Sequence, residues 1–237
     1  MRDTDPARFK AALPRLGVLA GIWAGLVGLL VAAGELIIHS AAITGFDQHV
    51  TRAVVSSRTA ALNSVMHAVT WLGSWVALVV AAVVVILLVV RKRLPVLAAI
   101  VGLFAWAGEA SGVAIAKKVV TRDRPPRAIW LVTAHGWSFP SGHTAAASVA
   151  FTVLALCVTA LTRNRVIRIL GWLIAGLAIV AVAFSRVELG VHWTTDVTAS
   201  IIFVGCWLTA VLIVLGGRLR PPPPGSSKET PDHAEVA

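Results

Sequence analysis

Long apolar runs alternate with short polar breaks along this chain, and six of those runs approach the ~20 residues that cross about 30 Å of hydrocarbon as α-helix. They predict spans over residues 16–38, 69–90, 95–117, 140–161, 166–185 and 193–215. The fold class that follows is all-α, a polytopic bundle of six transmembrane helices. Between the first two runs, Phe46, Val50 and Val54 recur at helical spacing among polar residues, which predicts a short helix lying on the membrane surface. The first run follows Arg2, Arg8, Lys10 and Arg15, as a signal peptide would. Its apolar stretch exceeds the roughly 7–15 residues of a signal, so an uncleaved anchor is the better reading. Pro221 to Pro224 cannot continue a helix. The chain thus divides into a cytoplasmic segment (1–15), a six-span domain (16–217) and an extended or disordered cytoplasmic tail (218–237).

Composition agrees. Hydrophobic residues make up 57% and charged residues 14%, with a mean hydropathy of +0.84, against about 45–50% apolar usage in soluble domains. A net charge of +10 would point to nucleic acid in a soluble protein. Here the basic residues sit at the ends of apolar runs, which argues against a nucleic-acid partner. Most of the 21 Lys and Arg, including Arg91 to Arg93 and Arg163, Arg165 and Arg168, fall on the side shared by the termini, and the positive-inside rule makes that side cytoplasmic. Lys117, Lys118, Arg122, Arg124, Arg127 and Arg186 crowd two short stretches on the other side, where an anion-binding site would explain them. Trp71, Trp75, Trp130, Trp137 and Trp193 lie near the same boundary, as an aromatic belt would. Cys157 and Cys206 sit inside spans and read as small packing residues.

Three stretches on that outer side carry the chemistry. In Lys117-Lys-Val-Val-Thr-Arg-Asp-Arg124-Pro125, cationic side chains can clamp phosphate oxygens, Arg as a planar fork and Lys as a point charge. In Ser138-Phe-Pro140-Ser141-Gly142-His143, a proline early in a helix tolerates its missing N–H. The free helix N-terminus is an anion site, with His143 placed to donate a proton. In Ser185-Arg186 followed by His192 and Asp196, the spacing of four puts the last two on one helical face. A carboxylate there can hold one imidazole nitrogen and leave the other as a nucleophile.

Together these stretches resemble the three signature motifs of the type 2 phosphatidic acid phosphatase superfamily: Lys-x6-Arg-Pro, Pro-Ser-Gly-His and Ser-Arg-x5-His-x3-Asp. Every position is filled, in order and at the right spacing, and the resemblance runs from about residue 45 to 215. It implies that Lys117, Arg124 and Arg186 hold the phosphate, joined by the Ser141 hydroxyl and the Gly142 N–H. His192 would attack phosphorus, oriented by Asp196, and His143 would protonate the leaving oxygen. Pro125, Pro140 and Ser185 would be structural. No metal or other cofactor is implied, because three fixed cations neutralise the transition state.

The expected protein is an integral membrane phosphatase, in a bacterial plasma membrane with its site on the extracytoplasmic side. It would act on a lipid phosphate or pyrophosphate: a polyprenyl pyrophosphate such as undecaprenyl pyrophosphate first, then phosphatidate or phosphatidylglycerol phosphate. Transfer of the phosphate to a lipid or sugar acceptor is an alternative use of the same site. A non-catalytic transporter or scaffold would be expected to lack some motif residues. Vanadium haloperoxidases share the motifs but are soluble. The oligomeric state is open. Glu109 is expected to face the bundle interior and pair with a basic residue, Glu188 to orient Arg186 or be solvated, and His135 to touch substrate or serve structure. His39, His49 and His67 read as interface residues.

Overall fold

The computed structural model describes residues 13–216. The segment before Leu13 and the tail from residue 217 onward, with the topology-setting Arg2, Arg8, Lys10, Arg218, Arg220 and Lys228, lie outside the described residues. Among the described residues eight α-helices follow in order: α1 (Leu13–His39), α2 (Ala41–Ser56), α3 (Ala60–Thr70), α4 (Trp75–Val90), α5 (Val96–Val120), α6 (Gly142–Leu161), α7 (Arg165–Glu188) and α8 (Thr194–Gly216). Single 3₁₀ turns occupy Trp71–Gly73 and Arg127–Ile129.

Five of these helices are long and apolar enough to cross a membrane, and the bent pair Ala60–Gly73 plus Trp75–Val90 brings the number to as many as six. The expected continuous span over 69–90 is broken. Ser74 is extended, its hydroxyl donates to the Trp71 carbonyl (2.7 Å), and the same oxygen accepts from Val76 N–H (3.3 Å). That cap starts α4 afresh after a bend of 48°.

α6 is the central helix, packed against α4, α5, α7 and α8. Some 56% of its apolar window is buried, against 17% for α1 and for α7. Its residues from Thr144 to Ala150 are all buried, and their small side chains let the surrounding helices approach closely. Gly108 and Gly112 do the same for α5: a Cβ there would stand 2.3 Å from the Trp207 ring and 2.4 Å from Phe203 on α8. Leu29, Leu177 and Ile213 point outward and are exposed, as lipid-facing side chains would be. Cys157 packs in the core, whereas Cys206, expected to pack, is exposed on α8.

The expected surface helix is α2, capped by the Ser40 hydroxyl on Ile43 N–H (3.4 Å). Its buried residues are polar, Asp47 and Thr51, while Phe46 is exposed. Val54 packs against Val187 and Val197.

Candidate active site

The three motif stretches meet at one end of the bundle, opposite the turns carrying Arg91–Arg93 and Arg163–Arg168. α5 ends where Thr121 turns left-handed (φ 47°), leaving Lys117 one turn inside the helix and sending residues 122–125 across the bundle top. α7 carries Arg186 in its last turn. Gly190 (φ +76°) then folds the chain back, so that Val191 and His192 N–H both donate to the Arg186 carbonyl (3.2 Å each). A side chain at position 190 would be strained by that φ and would meet the Ile129 carbonyl at 2.4 Å.

His192 is 2% exposed. Its Nδ1 lies 3.3 Å from Asp196 Oδ2, and its Nε2 lies 3.0 Å from Arg124 Nη1. A guanidinium can only donate. Nε2 therefore holds the lone pair, and the ring proton sits on Nδ1, facing the carboxylate. Burial, opposed by Asp196 and reinforced by Arg186 and Arg124, pushes the imidazole down to about 3. At neutral pH the ring is an uncharged base.

Asp196 is held from every direction. Its Oδ2 also accepts from the Ser138 hydroxyl and from Trp193 N–H (2.9 Å), the latter closing the first turn of α8. Its Oδ1 accepts from Arg122 Nη1 at 2.6 Å. The main chain adds a tie between motifs, with Ser141 N–H donating to the Asp196 carbonyl (3.3 Å) and the Ser200 hydroxyl to the Ser141 carbonyl (3.0 Å).

The cations differ in what they already bind. Arg124 donates to the carbonyls of His135 (2.9 Å), Gly136 (2.9 Å), Trp137 (3.2 Å) and Val191 (2.7 Å) as well as facing His192. Burial draws it below the usual arginine range, offset in part by Asp196. Lys117 donates to the Trp137 (2.7 Å) and Ser138 (3.3 Å) carbonyls. Arg186 donates from Nη1 to Thr70 (2.7 Å) and keeps a buried Nε without a partner. Together they form a positive pocket whose main-chain ligands an anion would displace.

His143, in the first turn of α6, is half-buried and lines a cavity of about 670 Å³ with Gly142, Arg186, Thr133, His67 and Glu109. N–H groups of a first helical turn have no intrahelical partner, and Gly142 and His143 present this end of α6 to the cavity. A second cavity of about 590 Å³ shares Trp75, Leu78 and Trp106 with the first and continues between α4 and α5, over Ala150 and Val153 of α6.

Several sequence expectations change. The Ser141 hydroxyl, expected on phosphate, is fully buried and caps α6, accepting from Thr144 N–H (3.4 Å) and the Thr144 hydroxyl (3.0 Å). Pro140 precedes that cap rather than opening the helix. Arg122, counted with the anion-binding residues, is spent on two carboxylates, Asp47 and Asp196. Glu109 is buried in the cavity wall and forms no ion pair among the described residues. Glu188 does not orient Arg186. It is fully buried beside Arg58 (3.8 Å), and an Asn63 amide turned to suit its neighbours donates to it at 2.7 Å. The His135 side chain is exposed, and only its carbonyl reaches the site. Pro125 accepts from the Trp130 indole (2.8 Å), and Ser185 donates to the Val182 carbonyl (2.7 Å). Trp193, expected in an aromatic belt, donates its indole N–H to the Asp123 carbonyl (2.8 Å) and so ties down the loop. Asp47, Thr70 and Thr195 escaped the sequence reading, and Ser138 entered it only as the start of the second stretch with no role assigned, because none stands at a motif position.

A model of the PAP2 superfamily matches residues 93–220, more than half of the chain. The chain belongs to the PAP2 superfamily. Phosphatidylglycerophosphatase B of Bacillus subtilis (strain 168) is 32% identical to it over 175 residues, covering 71% of this chain and 81% of that one. The crystal structure of a transmembrane PAP2 type phosphatidylglycerolphosphate phosphatase from Bacillus subtilis matches with a TM-score of 0.68 at 26% identity, over 85% of this chain and 96% of that one. The Aquifex aeolicus LpxE structure shares the fold, with a TM-score of 0.54 at 24% identity over 71% of this chain and 94% of its own. This PAP2 protein is an integral membrane lipid phosphatase.

Proposed function

We propose that the chain hydrolyses a lipid phosphate or pyrophosphate through a phosphohistidine on His192. The observation that carries this is the His192 ring, with Nδ1 bound to Asp196 and an uncharged Nε2 directed into the Arg124 side of the pocket. Phosphate would enter among Lys117, Arg124 and Arg186, exchanging main-chain carbonyls for phosphoryl oxygens. Its negative charge beside His143 favours the protonated imidazole, which then gives its proton to the leaving oxygen. Water releases phosphate from Nε2 in the second step, with His143 taking the proton. Fixed cations supply the charge stabilisation that phosphoryl transfer needs.

The apolar cavity between α4 and α5, which shares Trp75, Leu78 and Trp106 with the cavity lined by His143 and Arg186, suits a substrate whose chain stays between helices while its head reaches the pocket. The 32% identity to a phosphatidylglycerophosphatase makes phosphatidylglycerol phosphate the first substrate to test, with phosphatidate and undecaprenyl pyrophosphate beside it. The positive-inside pattern supports a site on the extracytoplasmic face. Purified protein should release phosphate from at least one of these lipids with excess EDTA present, and His192→Ala should release none. Full loss with EDTA, restored by Mg²⁺, would overturn the mechanism.

A further inference from the structure

Helix α2, outside residues 93–220 that the family model matches, brings a fully buried carboxylate to the His192–Asp196 pair. Asp47 Oδ1 accepts from Thr195 N–H (3.0 Å), and Oδ2 accepts from the Thr195 hydroxyl (2.5 Å) and from Arg122 Nη2 (2.7 Å). Arg122, itself 6% exposed, donates from Nη1 to Asp196 Oδ1 and to the Thr195 hydroxyl (2.7 Å). It also stacks 5.6 Å from the Trp193 ring centre. An unbroken chain therefore runs from Asp47 through Arg122 and Asp196 to His192.

Capping explains part of Asp47. Thr195 N–H lies in the first turn of α8, where donors lack intrahelical partners, and Oδ1 satisfies it. That task needs an acceptor but no charge. Nor does Arg122 need a second carboxylate for neutrality, since Asp196 alone balances it. With Asp47 present, the buried set of Asp47, Arg122 and Asp196 carries one net negative charge behind His192.

We infer that Asp47, acting through Arg122, is a positioning residue that sets the charge and orientation of the Asp196–His192 pair for formation of the phosphohistidine. The inference rests on His192 as nucleophile. As the Nε2–P bond forms, the bond from phosphorus to the leaving oxygen breaks and that oxygen takes its proton from His143. The ring keeps its Nδ1 proton and becomes cationic. Lys117, Arg124 and Arg186 oppose a new cation at that place. A neutral Arg122–Asp196 pair would do little to offset them, whereas a set with net negative charge does. In the second step water's oxygen binds phosphorus, its proton passes to His143, and the Nε2–P bond breaks.

The test compares the full chain in detergent with Asp47→Asn, Asp47→Glu and the double variant Asp47→Asn/Arg122→Gln, using p-nitrophenyl phosphate and rapid-quench detection of phosphohistidine. Asp47→Asn keeps a capping oxygen and loses the charge. Its kcat/KM should fall about tenfold or more, while inhibition by inorganic phosphate, which reports the clamp without bond formation, stays within about twofold. Asp47→Glu should retain more activity than Asp47→Asn. The double variant regains the net negative charge and should recover at least about fivefold over Asp47→Asn. The inference is overturned if Asp47→Asn forms phosphohistidine at the parent rate, if Glu is the worse replacement, or if the double variant is no better than Asp47→Asn. If the parent phosphoenzyme proves to lie on a residue other than His192, the nucleophile assignment itself falls, a result distinct from these.

Discussion

Arg124 holds Nη1 3.0 Å from Nε2 of His192, so the lone pair of the proposed nucleophile faces a group that can only donate. The ring is buried neutral, with its imidazole pushed from 6.5 down to about 3. As pH falls below the unfolded value, the unfolded chain takes a proton that the folded chain refuses. Stability from this group is therefore intact above about pH 6.5 and declines on acidification, with a slope approaching about 1.4 kcal/mol per pH unit. Thermal unfolding of the purified protein should fall more steeply between about pH 6 and pH 4 than that of His192→Asn. Parallel curves would contradict the neutral buried imidazole.

Arg186 offers the pocket a guanidinium with an unpartnered Nε. Vanadate adopts the five-coordinate geometry of the transition state, so it should inhibit competitively. Arg186→Lys loses the planar fork and should weaken vanadate binding and turnover together, each by about tenfold or more. Wild-type rates in that variant would remove Arg186 from the clamp.

His143 should matter in proportion to the basicity of the leaving group. A lipid alkoxide needs a proton and p-nitrophenolate hardly does. His143→Ala should therefore lose far more activity on phosphatidate than on p-nitrophenyl phosphate, whereas His192→Ala fails on both. Equal losses for His143→Ala would make it a phosphate ligand rather than an acid.

The proposed extracytoplasmic site rests on the basic turns at Arg91–Arg93 and Arg163–Arg168 lying at the opposite end of the bundle. Single cysteines at Ala128 or Ala134, in a background without Cys157 and the exposed Cys206, should react with an impermeant thiol reagent in intact cells. Labelling only after lysis would invert the topology and place the substrate pool in the inner leaflet.

Much of this was legible from one dimension because membranes and helices impose short-range rules. Apolar runs had to become spans, as backbone polar groups find no water in hydrocarbon. The four-residue spacing of His192 and Asp196 predicts a shared helical face, but His192 lies in the bend before α8, and the turn at Gly190 brings its ring to Asp196. The three motifs named Lys117, Arg124, His143, Arg186, His192 and Asp196, and the fold collects all six at one end of the bundle. What spacing could not reveal is which partner each charge takes. Arg122 and Arg124 are two residues apart in one basic stretch, yet one is neutralised by Asp47 and Asp196 while the other faces His192. Ser141 reads as a ligand and serves as a cap, because the first turn of α6 needed an acceptor. Glu188 stands two residues from Arg186 and turns instead to Arg58 and Asn63. Asp47 lies in an unremarkable polar helix and becomes part of the charge behind His192, since only packing of α2 against α8 brings residues 47 and 195 within hydrogen-bond range. Sequence identified the family and the motif residues that gather at one end of the bundle. Tertiary packing settled how its buried charges are paired, because electrostatic partners in a dry interior are chosen by distance in space rather than along the chain.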